Sequence, residues 1–246
     1  MKLLVCISKT PDTTAKISFN GDGTAFNTDG VQYIMNPYDE WYALVRALEL
    51  KEAAGGEVII INVGPADNDS IIRKGLAIGA DSAVRVDTAA TSALVVAQQI
   101  AAYAKAENFD AIFLGKETID YSGNQIGAMV AELLDLPFVS YATNLDMNGN
   151  TATISREIEG GTEVLEVATP FVVSAAKGLA EQKIPNMKGI MMAKKKELKV
   201  VPAIEVEDLS KIVAYTLPPA KTSVKLIDPE NTDELIRLLH EEAKVI

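Results

Sequence analysis

Short apolar runs alternate with amphipathic segments along the first 135 residues. The apolar runs predict buried strands at 2–8, 57–63, 83–86 and 111–115. Between them, apolar positions recur at helical spacing over about 36–54, 68–78, 92–106 and 123–134. Strands that alternate with helices in this way predict βαβ units and a mostly parallel sheet with helices on both faces.

The segment from Pro11 to Gly30 interrupts this alternation. It contains Asn20-Gly21 and Asp22-Gly23, which are strong turn signals, and it is interpreted as a hairpin inserted after the first strand. The next helix is predicted to begin with Asn36 as its N-cap and Pro37 in its first turn.

The pattern changes after Pro137. Period-two alternation predicts antiparallel strands at 139–145, 151–158 and 162–167, and a buried strand follows at 171–175. Beyond residue 177 the pattern weakens: 178–189 is irregular, and a further helix is predicted only at 232–243, with Thr232 as its cap. A tail with so little core of its own is expected to pack on a partner subunit.

The stretch FDAIFLGKETIDYSGNQIGAMVAELL, residues 109–134, holds the main candidate site. Ser122 precedes Gln125 by three residues, so a capping box is predicted, with a helix start near Gly123. Helix N-termini bind anionic groups through their backbone N–H groups and dipole. No Lys or Arg occurs from Glu117 to Ser155, so a phosphate here would be held mainly by amides. An ordinary βα turn with a good cap explains the same residues.

Ligands of parallel sheets bind at the carboxyl ends of the strands, near the point where the strand order reverses. The loops that begin at Ile7, Val63 and Gly115 are expected to converge there, with the helix start at Asn36 nearby.

Composition narrows the function classes. The 246-residue chain carries a formal net charge of −11, which disfavours nucleic acid as a partner. No apolar run is long enough to predict membrane insertion. The single cysteine, Cys6, excludes an intramolecular disulfide, and the single histidine, His240, disfavours a histidine-built metal site. We expect an acidic cytoplasmic protein.

The motifs of several nucleotide-binding and hydrolytic families do not occur. The chain has no Walker A sequence, GxGxxG, GxSxG, CxxC or HExxH. These absences disfavour P-loop NTPases, dinucleotide dehydrogenases, serine hydrolases and zincins. By themselves, the residues predict an α/β protein with a nucleotide-phosphate site and a partner.

Seven segments, in order and spread over nearly the full length, resemble the β subunit of electron-transfer flavoproteins. They are LLVCISKTPD at 3–12, MNPYDE at 35–40, VGPAD at 63–67, LAIGAD at 76–81, LGKETIDYSGNQIG at 114–127, REIEGG at 156–161 and IPNMKGIMMAKKK at 184–196. The resemblance implies a doubly wound α/β fold of the adenine nucleotide α-hydrolase-like kind, with an antiparallel addition and an extended C-terminal arm. It further implies a nucleotide-binding domain at 1–177, a partner-recognition loop and short helix at 178–196, and an arm at 197–246 that packs on the partner subunit.

The same resemblance implies a heterodimer whose α subunit holds most of an FAD. Electrons would pass from acyl-CoA or other flavin dehydrogenases through that FAD to a quinone reductase or another acceptor. The β subunit would bind a structural AMP and would catalyse nothing by itself.

Site residues follow from the resemblance as well. The implied AMP contacts are Cys6, Asn36, Pro37, Tyr38, Asp39, Val63, Thr118, Ile119, Asp120, Tyr121, Ser122, Gly123, Asn124, Gln125, Ile126, Gly127, Ala128 and Met129. The implied docking residues are Ile184, Pro185 and Met187, with Ile184 as an apolar anchor.

Departures from the family pattern leave alternatives open. Thr13 stands where some relatives place an aromatic residue near the flavin, which weakens any claim of direct flavin contact. Bifurcating members carry a second FAD in place of AMP, whereas Asn124-Gln125 resembles the AMP-binding, non-bifurcating type. A stand-alone nucleotide-binding module of the stress-protein kind and a nucleotide-dependent ligase or hydrolase are the other classes considered.

Overall fold

A nine-stranded sheet forms the centre of the larger of two units, which comprises Met1–Ile17 and Thr28–Val213. The computed structural model describes residues 1–89, 92–220 and 223–246. The strands of this sheet are β1 (Lys2–Cys6), β4 (Glu57–Val63), β5 (Ser82–Asp87), β6 (Ala111–Gly115), β7 (Phe138–Asn148), β8 (Thr151–Ile158), β9 (Gly161–Ala168), β10 (Phe171–Ala175) and β11 (Leu198–Pro202). Their order is β11-β5-β4-β1-β6-β10-β7-β8-β9, and the first seven of these strands run parallel.

Helices cover both faces of this sheet because its central strands are apolar on both sides. The larger unit contains α1 (Asp39–Ala54), α2 (Asp69–Ile78), α3 (Ala93–Glu107), α4 (Ile126–Leu134) and α5 (Met187–Ala193). Helices α1 and α2 pack with Leu3, Val5 and Ile60 on one face, whereas α3 and α4 pack with Leu4 and Ile112 on the other. The prediction of a mostly parallel, doubly wound α/β fold is confirmed.

The strand order reverses at β1. From β1 the chain moves outward through β4 and β5, and then returns to the other side of β1 as β6. In open parallel sheets, the carboxyl ends of the strands on either side of such a reversal diverge and leave a crevice. The loops after β1, β4 and β6 border this crevice.

The antiparallel part of the sheet was also predicted from the sequence. Strands β7, β8 and β9 form a meander, with turns at Gly149-Asn150 and Glu159-Gly160. A separate two-stranded antiparallel sheet pairs β2 (Lys9–Pro11) with β3 (Tyr33–Met35), so the chain does make an excursion after the first strand.

Strand β11 was not predicted, since it lies in the segment where the pattern weakens. It runs parallel to β5 as an edge strand and begins the C-terminal region of the chain. Just beyond it, the Gln99 side chain of α3 donates to the carbonyl of Ile204 at 3.0 Å and accepts the Ile204 N–H at 2.8 Å.

The smaller unit comprises Ser18–Asn27 and Ala214–Ile246. Its first segment is closed by an antiparallel bridge between Phe19 and Phe26, and Tyr215 stacks on Phe19 with ring centroids 4.8 Å apart. Its helix α6 (Thr232–Arg237) continues into a π-helical turn, Leu238–Ala243. The prediction of Thr232 as the cap is wrong by one residue, because Asn231 accepts the N–H of Glu234.

No helix within the described ranges combines the length and the apolar character that crossing a bilayer requires.

Candidate functional site

A cavity of about 460 Å³ lies at the crevice where the strand order reverses. Its walls come from the carboxyl ends of β1, β4 and β6 and from the first residues of α3 and α4. Its volume lies within the range of about 300–1,000 Å³ that is typical of small-molecule sites. The residues around it are Cys6, Ile7, Ser8, Glu40, Ile61, Val63, Ser92, Ala93, Val96, Ile100, Leu114, Gly115, Lys116, Glu117, Thr118, Tyr121, Gly123, Asn124, Gln125, Ile126, Gly127, Ser210 and Ile212.

The cavity combines apolar and polar walls. Cys6, Ile61 and Leu114 belong to the buried core of the sheet. Polar groups come mainly from the loop that follows β6, and Lys116 is the one cation among the described residues around the cavity. Such a combination suits a ligand with a flat apolar part and a polar end.

Two helix N-termini face this cavity. Helix α3 is capped by Ser92, whose hydroxyl accepts the N–H of Val95 at 3.3 Å. Helix α4 begins at Ile126, and its N-cap residue Gln125 makes no side-chain cap hydrogen bond. First-turn N–H groups have no intrahelical acceptor, so they are suited to bind an anionic group.

The predicted capping box at Ser122 is wrong. Ser122 and Asn124 both adopt left-handed backbone conformations, with φ of 46° and 47°. These residues therefore keep the chain non-helical up to Gln125, three residues later than the predicted start. Left-handed conformations of residues other than glycine cost energy and tend to cluster at ligand sites.

Asn36 holds the loop that follows β6. It is buried, and its side-chain amide donates to the carbonyl of Glu117 at 3.1 Å and accepts the N–H of Ile119 at 3.0 Å. The prediction of Asn36 as the N-cap of α1 is therefore wrong: α1 begins at Asp39, after Tyr38, which has a positive φ of 65°. Asn36 fixes Thr118, which lies between its two partners, at the wall of the cavity.

Glu40 closes the wall between β1 and β6. Its carboxylate accepts the N–H of Ser8 at 2.7 Å and also the Ser8 hydroxyl. Gly115, at the end of β6, permits this arrangement, because a Cβ there would lie 2.8 Å from Cγ of Glu40 and 2.9 Å from its backbone nitrogen. A side chain at residue 115 would push the start of α1 away from the sheet.

Burial changes the ionisation of two carboxyl groups in the first turn of α1. It raises the pKa of Glu40 to about 8, although the hydrogen bonds from Ser8 favour the carboxylate, and the charges of Asp120 and Asp39 raise the pKa further. Burial also raises the pKa of Asp39 to about 6, and Lys116 opposes that effect. Glu40, which borders the main cavity, is therefore mostly protonated at physiological pH.

The structure brings together half of the predicted AMP contacts. Around the main cavity are Cys6, Val63, Thr118, Tyr121, Gly123, Asn124, Gln125, Ile126 and Gly127. A second cavity of about 240 Å³ is bordered by Pro37, Tyr38, Asp39 and Ile119. Neither of these two cavities is bordered by Asn36, Asp120, Ser122, Ala128 or Met129.

Several residues around the main cavity were not among the predicted contacts. Ser8, Glu40 and Lys116 lie within two residues of predicted contacts, so their positions at strand ends and helix starts could have pointed to them. Ser210 and Ile212 come from the chain beyond β11, where the sequence has no regular pattern.

A second candidate site is an exposed apolar surface around the start of α5, formed by Ile184, Met187 and Met191. Their exposed fractions are 87%, 74% and 66%. Exposed lysines adjoin this surface in sequence, namely Lys183, Lys188, Lys194 and Lys195. An apolar centre with a basic border is typical of a protein-binding surface.

Comparison with known proteins gives a family for this chain. The family model for the electron transfer flavoprotein domain matches residues 23–206. This chain belongs to the electron transfer flavoprotein family. The electron transfer flavoprotein subunit beta of Bacillus subtilis (strain 168) is 36% identical over an alignment that covers 100% of both chains.

Two further relatives have the same subunit name. That of Syntrophomonas wolfei subsp. wolfei is 39% identical, with 94% of this chain and 91% of the relative covered. That of Homo sapiens is 34% identical, with 100% and 99% covered. Helix α5 and strand β11 lie within the matched residues 23–206, as do most of the residues around the main cavity.

Proposed function

We propose that this chain is the β subunit of a heterodimeric electron-transfer flavoprotein of the AMP-binding, non-bifurcating type. The observation that carries the proposal is the cavity at the strand-order reversal, bordered by two helix N-termini, in a chain that aligns over its full length with β subunits. The chain acts as part of an electron carrier and catalyses no reaction by itself.

The residues around the main cavity are suited to AMP. The apolar wall at Cys6, Ile61 and Leu114 offers a surface for the adenine ring. The first turn of α4 offers backbone N–H groups for the single phosphate, with the Lys116 ammonium as the only lysine or arginine among the described cavity residues. One cationic side chain and the N–H groups of one helix turn suit a single phosphate group, so we propose a nucleoside monophosphate as the ligand.

FAD, held mainly by the α subunit, supplies the redox chemistry of the complex by accepting one or two electrons. In this proposal the present chain holds AMP, supports the α subunit and presents a docking surface. No residue of the chain is assigned a direct flavin contact.

Exposed apolar side chains of the C-terminal region support a heterodimer. In the larger unit, Ile204, Leu209, Ile212 and Val213 follow β11 and are exposed. In the smaller unit, Leu217, Val224, Leu226, Leu235, Ile236, Val245 and Ile246 are exposed as well. Apolar side chains in this number are costly to leave in water, so we assign their covering to the α subunit.

The surface around Ile184 is proposed to dock a flavin dehydrogenase. A protruding apolar side chain that enters a partner pocket can supply much of the binding energy of a small interface. The adjacent lysines suit a partner whose pocket has an acidic border. Electrons from the dehydrogenase pass to the FAD and onward to a quinone reductase or another acceptor.

A stand-alone nucleotide-binding module is the competing function. Its members need no second kind of subunit, so in that class the exposed apolar residues of the C-terminal region would have to be covered by self-association. Purification of this chain through an affinity tag, with its α subunit co-expressed, separates the two functions. We expect a yellow one-to-one complex. A colourless homodimer that does not retain the α subunit would contradict the proposal.

A further inference from the structure

Trp41 is the only tryptophan of the chain and lies in the first turn of α1, beside the segment that carries Ile184. Its indole Nε1–H donates to the main-chain carbonyl of Lys183 at 3.1 Å. That carbonyl belongs to the planar peptide group between Lys183 and Ile184. The hydrogen bond therefore fixes the orientation of the backbone from which Ile184 projects.

The indole ring is itself held in place by the neighbouring helix. The Lys74 ammonium of α2 lies 4.7 Å from the centroid of the Trp41 ring, which is the geometry of a cation–π contact. Trp41 is also half-buried, whereas Ile184 is 87% exposed. Trp41, whose ring is held by its neighbours, thus hydrogen-bonds to the backbone next to Ile184, whose side chain lies in solvent.

The other end of the segment is fixed on α2. Asn186 caps α5 by accepting the N–H of Gly189 at 2.8 Å. A Cβ at Gly189 would lie 2.4 Å from the carbonyl oxygen of Ala77, so glycine allows α5 to approach α2 this closely. Arg73 of α2 donates to two main-chain carbonyls at and just beyond the end of α5, 2.8 and 2.7 Å away.

We infer that Trp41 is a positioning residue for docking: its indole N–H holds the Lys183 carbonyl so that Ile184 is presented outward before a partner binds. The inference rests on the proposed docking function of Ile184. Residues 180–186 form neither helix nor strand, so without this contact the segment would have to become ordered during binding, at a cost in affinity. The ion pair between Lys183 and Glu52, at 3.4 Å, is exposed and contributes little.

The test compares three variants of the purified α/β complex. Trp41→Phe keeps an aromatic ring near Lys74 and removes the N–H donor. Glu52→Gln removes the exposed ion pair at the same segment and serves as the matched control. Ile184→Ala tests the docking function itself.

We expect Trp41→Phe to raise the KM of a flavin dehydrogenase for the complex by about three- to tenfold, as loss of one hydrogen bond implies. The kcat and the flavin content should stay at wild-type values, and amide hydrogen exchange at 183–189 should accelerate. The melting temperature should fall only modestly, because the phenyl ring keeps most of the packing of Trp41 against the core. Glu52→Gln should change KM by less than about twofold. A kcat or flavin defect with unchanged KM would contradict a positioning role.

The two proposals fail in different ways. A wild-type KM in Trp41→Phe, beside a raised KM in Ile184→Ala, would overturn the inference about Trp41 alone. A wild-type KM in both variants would overturn the docking function on which it rests.

Discussion

Glu40 accepts hydrogen bonds from both the backbone N–H and the hydroxyl of Ser8, and both residues border the main cavity. The pair joins the start of α1 to the end of β1. Because the carboxyl is buried, its pKa is raised from 4.5 to about 8. The folded state therefore binds this proton more tightly than the unfolded state does.

This pKa shift predicts how stability depends on pH. The stabilising contribution is complete below pH 4.5 and is lost as pH rises through about 8. Glu40→Gln imitates the protonated carboxyl, so its free energy of unfolding should decline less between pH 5 and pH 9 than that of the wild type. The expected difference is on the order of 4 kcal/mol. Chemical denaturation at several pH values measures it, and parallel pH profiles for the two proteins would contradict the raised pKa.

Asn36 supports the cavity from outside it. Asn36→Ala would leave the Glu117 carbonyl and the Ile119 N–H without their partner, so we expect a loss of about 2–4 kcal/mol of stability. Because Thr118 lies between those two groups at the cavity wall, bound nucleotide should also be released faster. Asn144→Ala is the control, since Asn144 is an exposed asparagine whose replacement should cost less than about 0.5 kcal/mol. Nucleotide release at a wild-type rate in Asn36→Ala would argue against this role.

If Ile184 docks a partner, replacing it should lower the affinity for that partner without lowering the stability of the complex. Ile184→Ala removes an exposed side chain, so the melting temperature and flavin content of the complex should hardly change. The affinity of a flavin dehydrogenase should fall by about 1–3 kcal/mol. Val164→Ala, on β9 and 63% exposed, is the matched control and should alter neither property. If Ile184→Ala destabilises the complex and leaves the acceptor KM unchanged, Ile184 packs against the α subunit instead.

The lysines beside Ile184 predict a dependence on salt. Attraction between exposed charges is screened within about 8 Å at physiological ionic strength, so the KM for the complex should rise with salt concentration. Lys188→Gln should raise the KM at low salt by about two- to threefold and flatten that dependence. Lys105→Gln, an equal change of charge on α3, should leave the salt dependence intact. Identical behaviour of the two variants would show that net charge, and not the docking surface, sets the effect.

Local sequence patterns were sufficient to predict most of the strands. The strands at 57–63, 151–158 and 171–175 have the predicted bounds, because apolar runs or alternation end there at glycine, proline or asparagine turns. Strand β11 was not predicted, because its five residues form an edge strand that has no clear local pattern. Its pairing with β5 joins segments more than 100 residues apart, which a local pattern does not report.

The helix starts near the site were harder to predict for a related reason. Asn36 before Pro37 has the pattern of an N-cap, yet its side chain binds a loop 81 residues further along the chain. Ser122 and Gln125 have the spacing of a capping box, but left-handed conformations at Ser122 and Asn124 delay the helix. In both places a long-range contact or a strained loop, which no local pattern reports, replaced the usual cap. Such departures are common at functional sites.

The nucleotide content of the α/β complex tests the central claim most directly. The complex is denatured, and the released nucleotides are separated by chromatography and quantified against protein. We expect one FAD and one AMP per heterodimer, with the AMP from the cavity between α3 and α4. Two FAD and no AMP per heterodimer would contradict the account and would move this chain to the bifurcating class.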